Sequence, residues 1–324
     1  MWRSSALLVG LFWACSSSDD RAPFAAPAPA PRDASAEVGA SPADAGACLD
    51  CSRLKLAVSR FYMGDTDRGG VPMSYAWEYF GEDLDGLHSN YTLNGECLPP
   101  ADQAQYAALD GINGYDNQWG ARILPLLAKW DPTPSKASDD ALKAGARRPI
   151  IMLGQIGGGL AAATLRASFT YFRDGRTEPE LVAYDAATFA NDTFDSGPAP
   201  VPVTIELPIG KQPVRITVQR LRVRFELTPD GKAIGGQLSG AATVADLEAA
   251  VGDHIARSAP EECGGAKLAA VVKATDTAVD VLADGRNDRT ARCDAVSFGV
   301  GFDAEPVTVT GMGAAAPPVM SPCP

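Results

Sequence analysis

The alternation of apolar and polar residues between positions 201 and 227 constrains the fold of this chain more than any other feature. Apolar side chains recur at every second position in the runs 201–207, 214–218 and 221–227, which is the period of a β-strand with one buried face. The step from Val218 to Leu221 is three residues. We therefore expect a bulge or a strand break there, because a simple continuation would move every later side chain to the other face.

Further strands are predicted on both sides of this region. The apolar run 150–156 follows Pro149 and ends at the glycines 157–159, and residues 165–171 alternate before a turn at 174–175. Residues 296–302 alternate strictly, with Gly299 and Gly301 on the second face. Such a bare face predicts that another part of the chain packs closely on it or that the strand is bulged.

Helical spacing of apolar residues appears in three segments, 117–130, 244–257 and 266–284. Together with the strands they predict an α+β, β-rich fold. The core is expected to be an antiparallel β-sandwich-like structure with several edge helices and a loop-rich N-terminal acidic segment.

The N-terminus carries the pattern of an exported lipoprotein. Residues 1–15 combine Arg3 with a short apolar run and end at Cys15. Phe12-Trp13-Ala14-Cys15 resembles a bacterial lipobox at Ala14 and Cys15 but departs from it at Phe12 and Trp13. We predict that Cys15 is lipidated and that its acyl chains include palmitate. This lipid would anchor the protein to the outer membrane or the cell surface. The alternative is an ordinary secretory signal that is cut nearby.

Composition divides the rest of the chain and excludes some partners. Residues 16–47 form an Ala/Pro-rich tether that is predicted to be disordered, and residues 48–147 a loop-rich, partly helical acidic cap. Residues 148–312 form the β-rich core with two helices, and residues 313–324 a Pro/Ala-rich tail. A net charge of −12 argues against nucleic acid as a partner.

Cysteine and histidine usage narrows the chemistry further. Six cysteines remain after Cys15, an even number that favours disulfides in an exported protein. The sequence leaves their pairing open, and Cys263 with Cys293 is the first pair expected, because the segment between them can fold back. Only two histidines are present, so the chain has few residues from which a zinc site or a histidine-based catalytic triad could be built.

Three acidic clusters between residues 64 and 117 combine carboxylates with glycines, the composition of calcium loops and of tight turns. The candidate Ca²⁺ ligands are Asp65, Asp67, Asp83, Asp85, Asp110, Asn113, Asp116 and Asn117. Ala76 stands where an EF-hand that starts at Asp65 needs a glutamate, so the first cluster is not an EF-hand. The alternative interpretation is that these side chains form Asx-turns and helix caps.

The aromatic residues of 74–80 and the arginines of 220–224 are two further candidate binding features. The aromatics fit either the core or a ligand platform, and the core is the more common place for them. Arg220, Arg222 and Arg224 lie on the face opposite the apolar residues of their strand. They suit an acidic ligand or a solvated face balanced by nearby carboxylates, and we expect the second.

Several motifs in consistent order resemble a family of uncharacterised predicted lipoproteins from myxobacteria. They are Gly64-Asp65-Thr66-Asp67-Arg68, Asp83-Leu84-Asp85-Gly86, Asp110-Gly111-Ile112-Asn113-Gly114-Tyr115-Asp116-Asn117 with Ile123-Leu124-Pro125, and Cys293-Asp294-Ala295-Val296-Ser297-Phe298-Gly299-Val300-Gly301-Phe302. The resemblance implies a shared fold and a cell-envelope location. It implies no activity.

The expected function is a surface binding or structural protein whose acidic loops hold Ca²⁺. Its extracellular or periplasmic ligand is left open. The alternative function is an envelope hydrolase that uses a carboxylate pair. No G-x-S-x-G motif appears in the sequence, and no pairing of a catalytic cysteine with a histidine is legible, so we lean against an enzyme.

Overall fold

The computed structural model describes residues 54–88, 97–100, 109–129, 132–154, 163–210 and 212–315. The predicted signal peptide with Cys15, the tether 16–47, the glycines 157–159 and residues 316–324 of the tail lie outside these residues. The described residues all fall within one compact unit of the chain.

Strands dominate the described structure, and four α-helices accompany them there. The strands are β1 (Lys55–Tyr62), β2 (Arg148–Leu153), β3 (Ala163–Arg173), β4 (Arg176–Thr177), β5 (Val182–Ala190), β6 (Thr193–Asp195), β7 (Val203–Leu207), β8 (Val214–Leu227), β9 (Ala233–Thr243), β10 (Ala295–Pro306) and β11 (Gly311–Met312). The helices are α1 (Leu124–Leu127), α2 (Pro134–Lys143), α3 (Val244–Ser258) and α4 (Ala266–Thr277).

Eight of the strands close into an antiparallel barrel. The order β3-β2-β1-β10-β9-β8-β6-β5 returns to its start because β5 also pairs with β3, from Ala163 opposite Phe189 to Phe169 opposite Val182. Strands β4, β7 and β11 lie outside this ring. The predicted sandwich-like core is therefore wrong. A sandwich and a barrel both need strands with one buried face, so the alternation that predicted the strands does not distinguish them.

Strand β1 belongs to this barrel although it lies in the segment predicted as an acidic cap. It pairs with β10 on one side and with β2 on the other. Residues 54–63, whose sequence fits either a short helix or a strand, thus supply a central strand. Their apolar side chains Leu56, Val58 and Phe61 are buried in the core.

The bulge predicted between Val218 and Leu221 is confirmed. Arg220 has φ +55°, and the register of β8 against β9 shifts between Gln219 and Arg222. Both apolar runs of β8 remain buried as a result. Before the bulge the strand pairs with β7, and after it with β6.

The helices agree with the predicted segments in position more than in length. Helix α3 begins after Thr243, whose hydroxyl accepts a hydrogen bond from the Asp246 backbone amide at 3.1 Å, as the capping pattern indicates. Helix α4 ends at Thr277, seven residues before the predicted end at Asp284. The segment 117–130 forms one π-helical turn, Trp119–Ile123, that leads into α1.

The predicted pairing of Cys263 with Cys293 is wrong. Cys293 is bonded to Cys97, 196 residues away along the chain. Backbone hydrogen bonds bring the two segments together, since the Leu98 amide donates to Ala291 O at 2.7 Å and the Cys293 amide to Leu98 O at 3.0 Å. Cys263 is itself disulfide-bonded. The prediction assumed that the segment after Cys263 folds back locally. The partner of Cys293 instead comes from the distant acidic segment that contains Cys97.

Candidate metal site

The first acidic cluster serves the local backbone. The Asp65 carboxylate accepts hydrogen bonds from the Ser135 backbone amide at 3.2 Å and from the Ser135 hydroxyl, at the first turn of α2. Asp67 Oδ1 accepts the Val71 amide at 2.8 Å and closes a turn. These two candidate ligands therefore act as the cap and the Asx-turn of the alternative interpretation, and they are not part of the acidic group described next.

Three of the predicted ligands come together. One oxygen atom from each of the Asp83, Asp85 and Asp116 carboxylates lies within 4.8 Å of the other two. Asp116 is buried, Asp85 half-buried and Asp83 exposed, so the group runs from the interior to the surface. Among the described residues this is the group of acidic side chains with metal-site geometry. We call it the acidic triad.

Backbone hydrogen bonds orient all three carboxylates. Asp83 Oδ1 accepts the Gly86 amide at 2.6 Å, Asp85 Oδ1 the Leu87 amide at 2.5 Å, and Asp116 Oδ2 the Leu84 amide at 2.6 Å. Each carboxylate thus commits one oxygen atom to the loop. Asp85 Oδ2 is shielded from solvent and accepts no hydrogen bond from the described residues.

The electrostatics of the acidic triad favour a cation. Burial raises the pKa of Asp116 well above its usual range, and the neighbouring acids Asp280, Asp85 and Asp110 raise it further. Burial also raises the pKa of Asp83, and the neighbouring carboxyl group of Asp85 adds to the rise. Carboxyl groups whose oxygen atoms lie within 4.8 Å of one another favour a shared proton or a cation between them. A bound metal ion would supply such a cation.

Asp280 is the acidic neighbour that the sequence does not reveal. It is buried, and its two oxygen atoms accept the backbone amide of Ser297, at 2.8 Å, and the Ser297 hydroxyl. Burial raises the pKa of Asp280 to about 8 although these hydrogen bonds lower it. The residue lies in the segment predicted as a continuous helix, where it reads as one exposed polar position. Asp280 is buried because α4 already ends at Thr277, so that Asp280 lies in the segment after the helix and not on its exposed face.

The remaining predicted ligands have other positions. Asp110 acts on Asp116 and Asp280 through its charge. Asn113 is exposed and has φ +63° within the short turn Ile112–Gly114. Asn117 is buried, and its amide is fully used by backbone groups: Oδ1 accepts the amides of Gly120 and Gly299, and Nδ2 donates to Trp77 O and Phe80 O. Asn117 is therefore a structural residue beside the site.

Of the three arginines on this face, Arg222 has the carboxylate partners that we expected. Arg222 donates to Asp195 through Nε at 2.8 Å and through Nη2, and its Nη1 lies 3.2 Å from Glu82 Oε2. Arg224 is exposed. The aromatic cluster divides between the two alternatives, since Phe80 is buried whereas Tyr75 and Tyr79 are 50% and 43% exposed.

A separate groove of the protein contains a network of ion pairs. Arg147 stacks on the Tyr171 ring and donates to Glu178, at 2.6 Å from both Nε and Nη2, and to Glu206, at 2.7 Å. Arg215 also donates to Glu206, at 2.9 Å. Because both glutamates are committed to arginine, this groove has the character of a structural network. Envelope hydrolysis by a carboxylate pair remains a prediction.

Comparisons of this chain with protein-family models, with curated protein sequences and with solved structures return no match. The chemistry of the acidic triad therefore rests on its own geometry. In the described part of the chain, none of the helices combines the length and the apolar character that a membrane crossing requires.

Proposed function

We propose that this protein is an exported, lipid-anchored component of the cell envelope, with a binding or structural role, and that Ca²⁺ stabilises its acidic loop. The signal-like N-terminus with Cys15, the Ala/Pro-rich tether and the family resemblance support the location. The observation that carries the metal proposal is the convergence of Asp83, Asp85 and Asp116.

The donor set favours Ca²⁺ over other metals. The acidic triad consists of carboxylates alone, whereas zinc and copper sites are usually built from histidine and cysteine. Calcium accepts about six to eight oxygen atoms in an adaptable geometry. Three carboxylates supply part of this set, and the glycine-rich turns around them offer backbone carbonyl oxygens. The remaining ligands would be water and such carbonyl groups.

The calcium proposal is tested by melting curves and calorimetric titration of the full chain. We expect Ca²⁺ to raise the melting temperature above its value in chelator, because an ion that binds only the folded state stabilises it. The double variant Asp83→Asn, Asp85→Asn should lose this rise. Asp185→Asn, whose carboxylate side chain is 84% exposed and far along the sequence, should keep it. An unchanged melting temperature in calcium and in chelator would refute calcium binding.

The lipid anchor is tested at Cys15. Expression of the chain in a bacterial host should place it in the membrane fraction, with a lipid on Cys15 detectable by mass spectrometry of the N-terminal peptide. Cys15→Ser should release the protein from the membrane fraction. If the wild-type chain is recovered free of lipid, with a signal peptide cut at another bond, the lipoprotein proposal is wrong while the calcium proposal is unaffected.

A further inference from the structure

A pocket beside the acidic triad has charged groups of both signs on its walls. It lies between the acidic loop, the bulge of β8 and the segment that follows α4, and its cavity volume is about 70 Å³. The carboxylates of Glu82, Asp83 and Asp85 line it, together with the guanidinium groups of Arg220, Arg222 and Arg286. This volume is well below the roughly 300–1,000 Å³ of pockets for drug-sized ligands, so only a small molecule would fit.

Glu82 is the buried acid of this pocket. It is 6% exposed, and its Oε2 accepts a hydrogen bond from the Ser239 hydroxyl at 3.0 Å. Its Oε1 is shielded from solvent, and no donor among the described residues binds it. Burial raises the pKa of Glu82, although Arg222 lowers it. A buried carboxylate oxygen without a donor is unfavourable, so a donor on a ligand would stabilise it.

Among the described residues, Arg220 is the cation of this pocket that lacks a close partner. The described residues give it no hydrogen bond or ion pair, whereas Arg222 binds Asp195 and Arg286 binds Asp284. Hydrogen bonds from Arg286 lower the pKa of Asp284, and the charge of Arg220 contributes after them.

Arg220 lies at the bulge of β8, and its guanidinium group reaches Gly285. Arg220 adopts φ +55° at the bulge, a conformation that is unfavourable for arginine. Its Nη1 lies against the backbone of Gly285, where a Cβ atom would be only 1.1 Å away. Any side chain at position 285 would therefore displace the guanidinium group from the pocket wall.

We propose that this pocket binds a small zwitterion that carries a primary ammonium group and a carboxylate. The ammonium group donates to the carboxylate group of Glu82, and the carboxylate of the ligand accepts hydrogen bonds from the Arg220 guanidinium group, whose planar geometry matches it. A ligand with only a negative charge would leave Glu82 without a donor. A ligand with only a positive charge would be repelled by Arg220 and would leave it without an acceptor. The aliphatic part of the ligand packs against Leu84, Pro198, Val281 and Leu282.

The binding of a zwitterion is independent of the calcium proposal. Asp83 and Asp85 line the pocket and belong to the acidic triad, but Glu82 and Arg220 make the two defining contacts. Titrations in calcium and in chelator separate the two proposals. Binding of the zwitterion in chelator supports the pocket even if calcium has no effect on the protein.

The test is calorimetric titration of the full chain with alanine, valine and 5-aminopentanoate, which separate their charges by different lengths. Acetate and methylammonium serve as half-ligands. We expect at least one zwitterion to bind roughly tenfold or more tightly than either half-ligand, because it gains both charged contacts.

Two variants and a control assign the contacts. Arg220→Asn should weaken binding roughly tenfold or more while tolerating the positive φ, and Glu82→Gln should weaken it similarly. Arg224→Asn, on the same strand but outside the pocket, should leave the affinity unchanged. If melting curves show that Glu82→Gln does not fold, Arg220→Asn alone decides. Absence of zwitterion binding, acetate binding of equal strength, or an unchanged affinity in Arg220→Asn would overturn the proposal.

Discussion

Asn117 joins the acidic segment to the barrel through Gly299. The side-chain Oδ1 of Asn117 accepts the Gly299 backbone amide at 3.1 Å, across 182 residues of sequence. The side-chain amide of Asn117 also accepts a hydrogen bond from Gly120 N at 3.0 Å and donates one to Phe80 O at 2.8 Å. The residue next to Asp116 in the chain thus fixes the loop that carries the acidic triad onto strand β10.

Replacement of Asn117 by alanine should destabilise the whole fold. It leaves buried backbone donors and acceptors without partners, and we expect a loss of about 2–4 kcal/mol in the free energy of unfolding. Urea denaturation measures this. The matched control is Asn113→Gly, which removes an exposed amide at a positive φ that glycine adopts readily, and it should change stability little. Equal stability of Asn117→Ala and wild type would contradict the anchoring role.

Substitution of Gly299 by alanine should also destabilise the protein, by close contact. A Cβ atom there would lie 2.6 Å from Gly81 Cα and 2.8 Å from Phe80 O. We expect a cost of about 1–3 kcal/mol, since the neighbouring backbone must move. Gly252→Ala is the control, because Gly252 lies within α3 and has open space around it. That change should stabilise the helix by about 0.5–1 kcal/mol. Thermal unfolding of the two variants should therefore shift in opposite directions.

The close packing at β10 could be predicted from the sequence, and the closure of the barrel could not. Gly299 and Gly301 indicate that something approaches that face, and Phe80 with Gly81 is what approaches it. The bulge at Arg220 is likewise implied by a local change in the period of apolar residues. Closure depends on the pairing of β5 with β3. The alternation of apolar and polar residues in a strand shows which face is buried but does not show which strand pairs with it.

The candidate site shows the same division between local and distant information. Asp83, Asp85 and Asp116 lie in clusters whose composition already indicates an ion or a turn, but the sequence does not separate them from Asp65 and Asp67. The separation depends on where α2 packs, because Ser135 binds Asp65. The burial of Glu82 and Asp280 has no signal in the sequence, since it arises only from contacts with residues far away in the chain.

Loss of the disulfide between Cys97 and Cys293 should destabilise the protein without removing the barrel. We expect Cys97→Ser with Cys293→Ser to cost about 2–4 kcal/mol, mainly by freeing the unfolded chain. Urea denaturation of this double variant measures the cost. Peptide mapping of the wild type under non-reducing conditions should link the Cys97 peptide to the Cys293 peptide. A link between Cys263 and Cys293 would contradict the observed pairing.

The buried carboxyl group of Asp280 should make the metal-free protein less stable at high pH. Its pKa is about 8 in the folded state, above the usual value of 3.8 that holds in the unfolded chain. The folded state therefore binds a proton that the unfolded state has already lost. This contribution is fully present below about pH 4, declines above it, and is lost once the pH passes about 8.

Urea denaturation in chelator between pH 5 and pH 9 measures this effect. The pKa difference corresponds to roughly 6 kcal/mol at most, and relaxation of the site will reduce it. Asp280→Asn keeps hydrogen-bonding groups next to Ser297 and cannot ionise, so it should flatten the decline. Asp185→Asn should retain the wild-type profile, because that carboxylate is exposed. A wild-type profile that stays flat or rises through this range would show that Asp280 is ionised in the folded protein.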